Sequence, residues 1–191
     1  MNKKRCVAIL GAVLMSVLAA CGSNSSQDAE PVVAEDATSA DAMFNDADVM
    51  FAQMMIPHHE QALQLAQLAL KNSTNKEVIA LSKSIISSQG KEITQMKYWL
   101  KATNSPLSMG HDMGMAGMLS QRQITQLGKL KGPKFDKSFL QSMVAHHQGA
   151  LEMVILLKNT KNAEAKKLAL DVVNAQSAEI SSMKKMISKL A

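Results

Sequence analysis

The sequence predicts an all-α domain: a four-helix bundle built from two copies of one helix hairpin. Three observations carry this. Aromatic residues are 3% of the chain and alternating β-branched runs are absent, so there is little to make strands from. Apolar residues recur three and four apart over four long stretches. One segment also occurs twice, as Phe51-Ala-Gln-Met-Met-Ile-Pro-His-His-Glu-Gln-Ala-Leu63 and as Phe139-Leu-Gln-Ser-Met-Val-Ala-His-His-Gln-Gly-Ala-Leu151. At this offset of 88 residues Asp48 falls on Asp136, Met55 on Met143, and the pair His58-His59 on His146-His147.

The chain starts with Lys3-Lys4-Arg5, an apolar run from Cys6 to Ala20, and Leu18-Ala19-Ala20-Cys21. A basic start, a short apolar stretch and small residues before a cut site read as a secretory signal over residues 1–20. The run is shorter than the ~20 residues a membrane-spanning helix needs. Leu-Ala-Ala-Cys resembles the bacterial lipobox, which implies cleavage before Cys21 and lipid on its sulfur. Gly22 stands where the resemblance associates Asp with inner-membrane retention, so the expected anchor is the outer membrane facing the periplasm, or the cell surface. The processed chain then has no free thiol and no disulfide, and a soft metal must be held by thioether and imidazole.

Residues 21–42 are rich in Ser, Ala, Asp and Glu and contain no Lys or Arg, as expected of a disordered acidic tether. Beyond residue 42 lie 18 of the 21 basic residues against 11 of the 16 acidic ones, a formal +7. The lysines are scattered rather than clustered, which suits a solvated surface and gives no support to nucleic-acid binding.

Residues 43–191 are long enough for one domain with a real core. Asp48 is expected to cap a first helix that ends near Lys71, before Asn72-Ser-Thr-Asn75, with Pro57 removing one backbone hydrogen bond inside it and kinking it. A second helix is expected from Lys76 to Lys101, with Val78, Leu81, Ile85, Ile86, Ile93, Met96 and Leu100 as its apolar stripe. Its segment Gln89-Gly-Lys-Glu92-Ile-Thr-Gln-Met96 is repeated as Gln176-Ser-Ala-Glu179-Ile-Ser-Ser-Met183. A Met/Gly/His-rich loop over residues 102–119 and a short helix from Ser120 to Leu130 follow, stopped by Lys131-Gly132-Pro133. Asp136 is expected to cap a third long helix to about Asn159, with Phe135 as a hydrophobic staple, and a fourth is expected from Ala163 to Leu190. Two hairpins joined by a connection long enough to cross the bundle suit a ferritin-like topology better than a simple up-and-down order.

Four of the five histidines lie in the repeated motifs. On a helix, residues three and four apart share a face, so Met55 lies under His58 and His59, Met54 under His58, and Met143 under His146 and His147. Adjacent histidines diverge by ~100°, so one of each pair faces outward or only orients its neighbour; the spacing does not select which. Gln89, Glu92 and Met96, like Gln176, Glu179 and Met183, follow one helical face. Met96 and Met183 can add sulfur from across the bundle, and the glutamates can instead hold an imidazole N–H. The loop contributes Met109, His111, Met113, Met115 and Met118, among glycines that leave the backbone free to wrap an ion. Against these readings stands ordinary packing: methionine fills irregular cores well, and Met50, Met153 and Met186 are read as core. Thioether selects Cu(I), or Ag(I) by the same logic, whereas zinc rarely uses it. The di-iron pattern Glu-x-x-His is broken, because Met55 and Met143 occupy the glutamate positions.

The paired His-His motifs, the Gly110-His-Asp-Met113 segment, Phe135-Asp136 and the Gln-x-x-Glu-Ile-x-x-Met motifs resemble the bacterial family known as domain of unknown function 305, over about residues 43–191. The resemblance implies a ferritin-like fold and, from some members, binding of copper or silver in the periplasm and copper tolerance. It carries the ligand role onto Met55, His58, His59, Met143, His146, His147 and the loop methionines with His111. The expected function is therefore a lipid-anchored, extracytoplasmic protein that sequesters, buffers or delivers Cu(I), with a copper donor or acceptor protein as partner and no catalysis. Two alternatives stand beside it. One is a ferritin-like oxidase in which Glu60, Glu92, Glu152 and Glu179 converge with the histidines, and the other is a structural or partner-binding lipoprotein.

Overall fold

A computed structural model describes residues 43–110 and 114–190. The expected signal peptide, the lipidation site Cys21 and the acidic tether lie outside them. The described chain forms α1 (Asp46–Asn72), α2 (Lys76–Ala102), α3 (Gln121–Lys129), α4 (Gly132–Met153) and α5 (Ala163–Lys189), with a 3-10 turn at Val154–Leu157 closing α4. Among the described residues there is no strand, and no helix is long and apolar enough to cross a membrane.

The helix starts are set by short polar side chains. Asn45, not Asp48, caps α1: its Oδ1 accepts the Ala47 and Asp48 N–H groups at 2.8 and 3.0 Å, while Asp48 returns a carboxylate oxygen to the Asn45 N–H at 2.9 Å. Asp48 is thus the third residue of a reciprocal capping box. Asn75 and Asn162 cap α2 and α5, and Ser120 with Gln123 forms a second reciprocal box on α3. The expected cap of the third long helix is also corrected. α4 begins at Gly132, with Pro133 in its first turn, where a missing N–H costs nothing. Asp136 is inside that helix and buried, and Phe135 is a core residue stacked on Phe139 at 5.7 Å rather than an external staple. α1 runs unbroken through Pro57.

Two apolar clusters form the core, and their membership gives the topology. One joins the end of α1 (Leu65, Ala69), the start of α2 (Val78, Leu81), the start of α4 (Phe135, Phe139) and the end of α5 (Met183, Met186). The other joins the start of α1 (Phe51, Met55), the end of α2 (Met96, Trp99), the end of α4 (Ala150, Met153) and the start of α5 (Leu168, Val172). The long helices therefore run up, down, down and up. The connection between α2 and α4, described over residues 103–110 and 114–131, carries α3 and joins opposite ends of the bundle, as the ferritin-like topology requires. At the ends, Trp99 Nε1 donates to Glu164 at 2.9 Å and Lys189 pairs with Glu77 at 2.8 Å, tying α2 to α5. Met153 and Met186 are core as expected, but Met50 is 38% exposed and is not.

Candidate metal centre

Between the two apolar clusters lies a polar layer. His58 and His59 fall between Met55, in one cluster, and Ala62, in the other; His146 and His147 fall between Met143 and Ala150 in the opposite sense. Gln89 and Gln176 hold the corresponding places on α2 and α5, and all six side chains are buried. The repeat thus places one His-His-Gln set from each hairpin in the middle of the bundle, with Met55 and Met96 on one side and Met143 and Met183 on the other. All four of these methionines are fully buried.

The histidines divide into two kinds. His59 and His147 contact carboxylates: His59 Nε2 is 2.6 Å from Glu92 Oε2 and His147 Nε2 is 2.7 Å from Glu179 Oε2. Each ring proton on Nε2 is donated to its carboxylate, which leaves the lone pair on Nδ1, and neither Nδ1 has a protein partner. Glu92 and Glu179 thus each hold a neighbouring ring by one nitrogen. His58 and His146 meet at the centre, with ring centroids 3.8 Å apart and planes at 38°. His58 Nε2 donates to the Ala116 carbonyl at 3.3 Å, again leaving Nδ1 open, and neither nitrogen of His146 makes a hydrogen bond of good geometry. Neither member of a pair faces outward, since all four rings are essentially inaccessible.

Burial keeps the central rings neutral. For His58, desolvation first and the His59 ring second lower the pKa from 6.5 to about 3, against a smaller opposing effect of the Ala116 carbonyl. His146 is held well below the usual histidine range by burial, then by His58 and His147. Neutral imidazole is the form that binds metal, so both rings present lone pairs at neutral pH. Buried polar atoms without partners are costly, and this layer concentrates them: Nδ1 of all four histidines and both polar atoms of Gln176, with Oε1 of Gln89.

The crossing connection closes over this layer. Gly117 lies so near α4 that an added Cβ would stand 2.4 Å from the Ala145 carbonyl and 2.8 Å from His146 Cα. A Cβ on Gly149 would stand 1.9 Å from the Ala116 carbonyl. On the other side, Gln61 Nε2 donates to Leu119 O at 2.9 Å and Gln61 Oε1 accepts the Leu119 N–H at 2.7 Å. Gly117 and Gly149 thus serve backbone approach, not freedom to wrap an ion. Gln61 and Gly149 occupy equivalent places in the repeat, and their difference had no evident meaning in the sequence. Only the packed connection reveals that both seat the same segment.

The remaining expected residues are more dispersed. Met54 and Met115 are partly buried against the cluster that holds Met55 and Met96, and Met109 and Met118 are half-buried on the connection. His111 and Met113 lie outside the described residues. Glu60 pairs with Lys97 at 2.8 Å on the surface and Glu152 is exposed, so the carboxylate set of the oxidase alternative does not assemble. Among the described residues, no three His, Cys, Asp or Glu side chains converge as a cage for a metal ion.

Comparison with known proteins agrees with this architecture. A DUF305 structure from Deinococcus radiodurans superposes with a TM-score of 0.71 at 30% identity, covering 76% of this chain and 97% of that one. A DUF305 protein from Streptomyces coelicolor, described as a candidate secreted protein, gives 0.72 at 28% identity over 75% and 93% of the two chains. CopM in its Cu(II)-bound form gives 0.66 at 33% identity over 75% and 97%; CopM is also solved with Cu(I) and with silver. No curated protein sequence matches the chain. A family model described as Domain of unknown function (DUF305) matches residues 48–187, and the chain belongs to that family.

Proposed function

We propose that this chain is a lipid-anchored, extracytoplasmic protein that binds Cu(I), with Ag(I) as a second soft ion, and sequesters, buffers or hands on copper without catalysis. The observation that carries the reading is the arrangement of donors in the polar layer. Four buried imidazoles turn unpartnered Nδ1 atoms into a layer bordered on each side by two buried methionines. Imidazole alone suits several metals; thioether narrows the choice to soft, monovalent copper and silver. The nitrogen donors do not by themselves make a cage, so Met55, Met96, Met143 and Met183 complete the set by side-chain adjustment. Glu92 and Glu179 orient the ligands His59 and His147. The Cu(I)-, Cu(II)- and Ag-bound forms of CopM support copper and silver as the ions, while the preference for Cu(I) rests on the thioether donors. The placement outside the cytoplasm rests on the predicted leader and on the Streptomyces relative. A donor or acceptor protein for copper is the expected partner.

Competition for Cu(I) with a chromophoric chelator tests the reading. The wild-type chain should retain copper, and the variant with His58, His59, His146 and His147 all changed to Ala should lose it. A second variant, carrying Leu at the four flanking methionines, keeps the packing and should also lose copper, and it decides the test should the first fail to fold. Undiminished Cu(I) affinity in both variants would overturn the proposal.

A further inference from the structure

The geometry points to residues 115–119 of the crossing connection as the gate of the polar layer, with Gln61 as its latch. The inference rests on the metal reading of that layer. An ion must reach four rings that are 0–1% exposed, so some wall has to open. The α1–α2 seam is closed beside the rings by the His59–Glu92 bond and outside it by Lys97–Glu60, and the α4–α5 seam is closed by His147–Glu179; the α2–α5 seam is tied at its ends by Trp99–Glu164 and Lys189–Glu77, with Gln89 and Gln176 buried between. The α1–α4 seam, where His58 and His146 meet, is covered instead by a non-helical strip. Ala116 rests its carbonyl on His58, Gly117 lies on His146 Cα, and Met115 is packed against the cluster containing Met55 and Met96.

This strip can leave at smaller cost than any helix. A helix would give up its ladder of backbone bonds, whereas residues 115–119 are tied to the bundle by the two Gln61–Leu119 bonds, the contact on His58 and the partial burial of Met115 and Leu119 against the core clusters. The strip also carries sulfur: Met115 and Met118 lie on it beside Ala116, whose carbonyl covers His58 Nε2, so a soft ion arriving at the opening meets thioether before imidazole. The repeat supports a dedicated role. Its two hairpins differ at Gln61 and Gly149, and each of those residues seats this strip, one by gripping Leu119 and one by admitting the Ala116 carbonyl. Gln61 is a positioning residue here and contributes no ligand.

The test is the rate at which the Cu(I)-loaded full chain surrenders copper to bicinchoninate, followed by stopped flow, together with the rate of Cu(I) uptake. Gln61→Ala removes two hydrogen bonds from the closed state alone, so both rates should rise about tenfold while equilibrium affinity stays nearly unchanged. Gly149→Ala prevents the strip from seating and should accelerate exchange at least as much. Should these variants fold poorly, hydrogen exchange on the wild-type chain decides. The Leu119 amide should exchange by a local opening that leaves the amides of residues 143–150 protected. Unchanged copper exchange in a folded Gln61→Ala variant, or Leu119 exchanging only together with α4, overturns the gate. A wild-type chain that holds no Cu(I) overturns the metal reading first and the gate with it.

Discussion

Mild acid should destabilise the metal-free chain steeply, and His58 should account for a measurable share. The ring is fully buried, and its pKa falls from 6.5 to about 3 on folding. The unfolded chain therefore binds the proton more tightly. The stability tied to neutral His58 is fully present above 6.5, erodes as the pH falls, and levels off only near the folded value. Each pH unit inside that window costs about 1.4 kcal/mol, so at about pH 5 the loss from His58 is ~2 kcal/mol. His146, held below the usual histidine range by burial first and then by His58, adds to the loss in the same direction, against a total of roughly 5–15 kcal/mol for a domain. Carboxylates titrate mostly below this range, which isolates the histidines. Urea denaturation followed by circular dichroism at about pH 7.5 and about pH 5 measures the loss, in wild type and in His58→Gln. Whatever the variant costs at neutral pH, its pH-dependent loss should be ~2 kcal/mol smaller. Equal losses in the two proteins would refute the argument that burial holds this ring neutral.

Other substitutions separate the parts of the account. Replacing Met55, Met96, Met143 or Met183 singly by Leu is nearly volume-conserving and should cost less than about 1.5 kcal/mol of stability. It should nevertheless weaken Cu(I) retention in the chelator competition; unaltered retention at all four sites would leave these methionines as packing alone. Glu92→Gln or Glu179→Gln should lower Cu(I) affinity by about 10- to 100-fold, because a neutral amide no longer fixes the His59 or His147 tautomer. An affinity indifferent to both changes would show that the pairs serve the fold and not the ion. Gly117→Ala places a Cβ against the Ala145 carbonyl at φ +78° and should destabilise by about 1–3 kcal/mol in thermal or urea melts.

The bundle was legible because it was written twice. Duplication placed the same apolar spacing, the same His-His pair and the same Gln-x-x-Glu motif on two hairpins. Helical geometry alone then brought Met55 beneath the first pair and Met143 beneath the second. The glutamate contacts were legible for the same reason, since Glu92 and Glu179 share their helix face with Gln89 and Gln176. The helix starts were less so. Asp48 and Asp136 are equivalent in the repeat, yet Asn45 caps the first helix by accepting the Ala47 and Asp48 N–H groups, while Pro133 lets the other begin a turn earlier. Local capping chemistry there overrides the internal symmetry. The exposure of Met50 shows the limit of reading methionine as core from its helical position.

The seat of the connection was not legible at all. Its partners, Gln61 on α1 and Gly149 on α4, are distant in sequence from Leu119 and Ala116, and they belong to a repeat position where the two copies disagree. Symmetry exposes what the copies share; a single strip lying on one side of the seam must use what they do not. The same packing changes the meaning of the glycines, from freedom to close approach.

X-ray absorption at the copper edge of the Cu(I)-loaded chain addresses the central claim most directly. The account predicts a first shell containing both imidazole nitrogen and thioether sulfur, with the imidazole scattering lost when the four paired histidines are replaced by Ala and the sulfur diminished when the four flanking methionines become Leu. A first shell without imidazole, or one that is the same in both variants as in the wild-type chain, would place the ion outside the polar layer and contradict it.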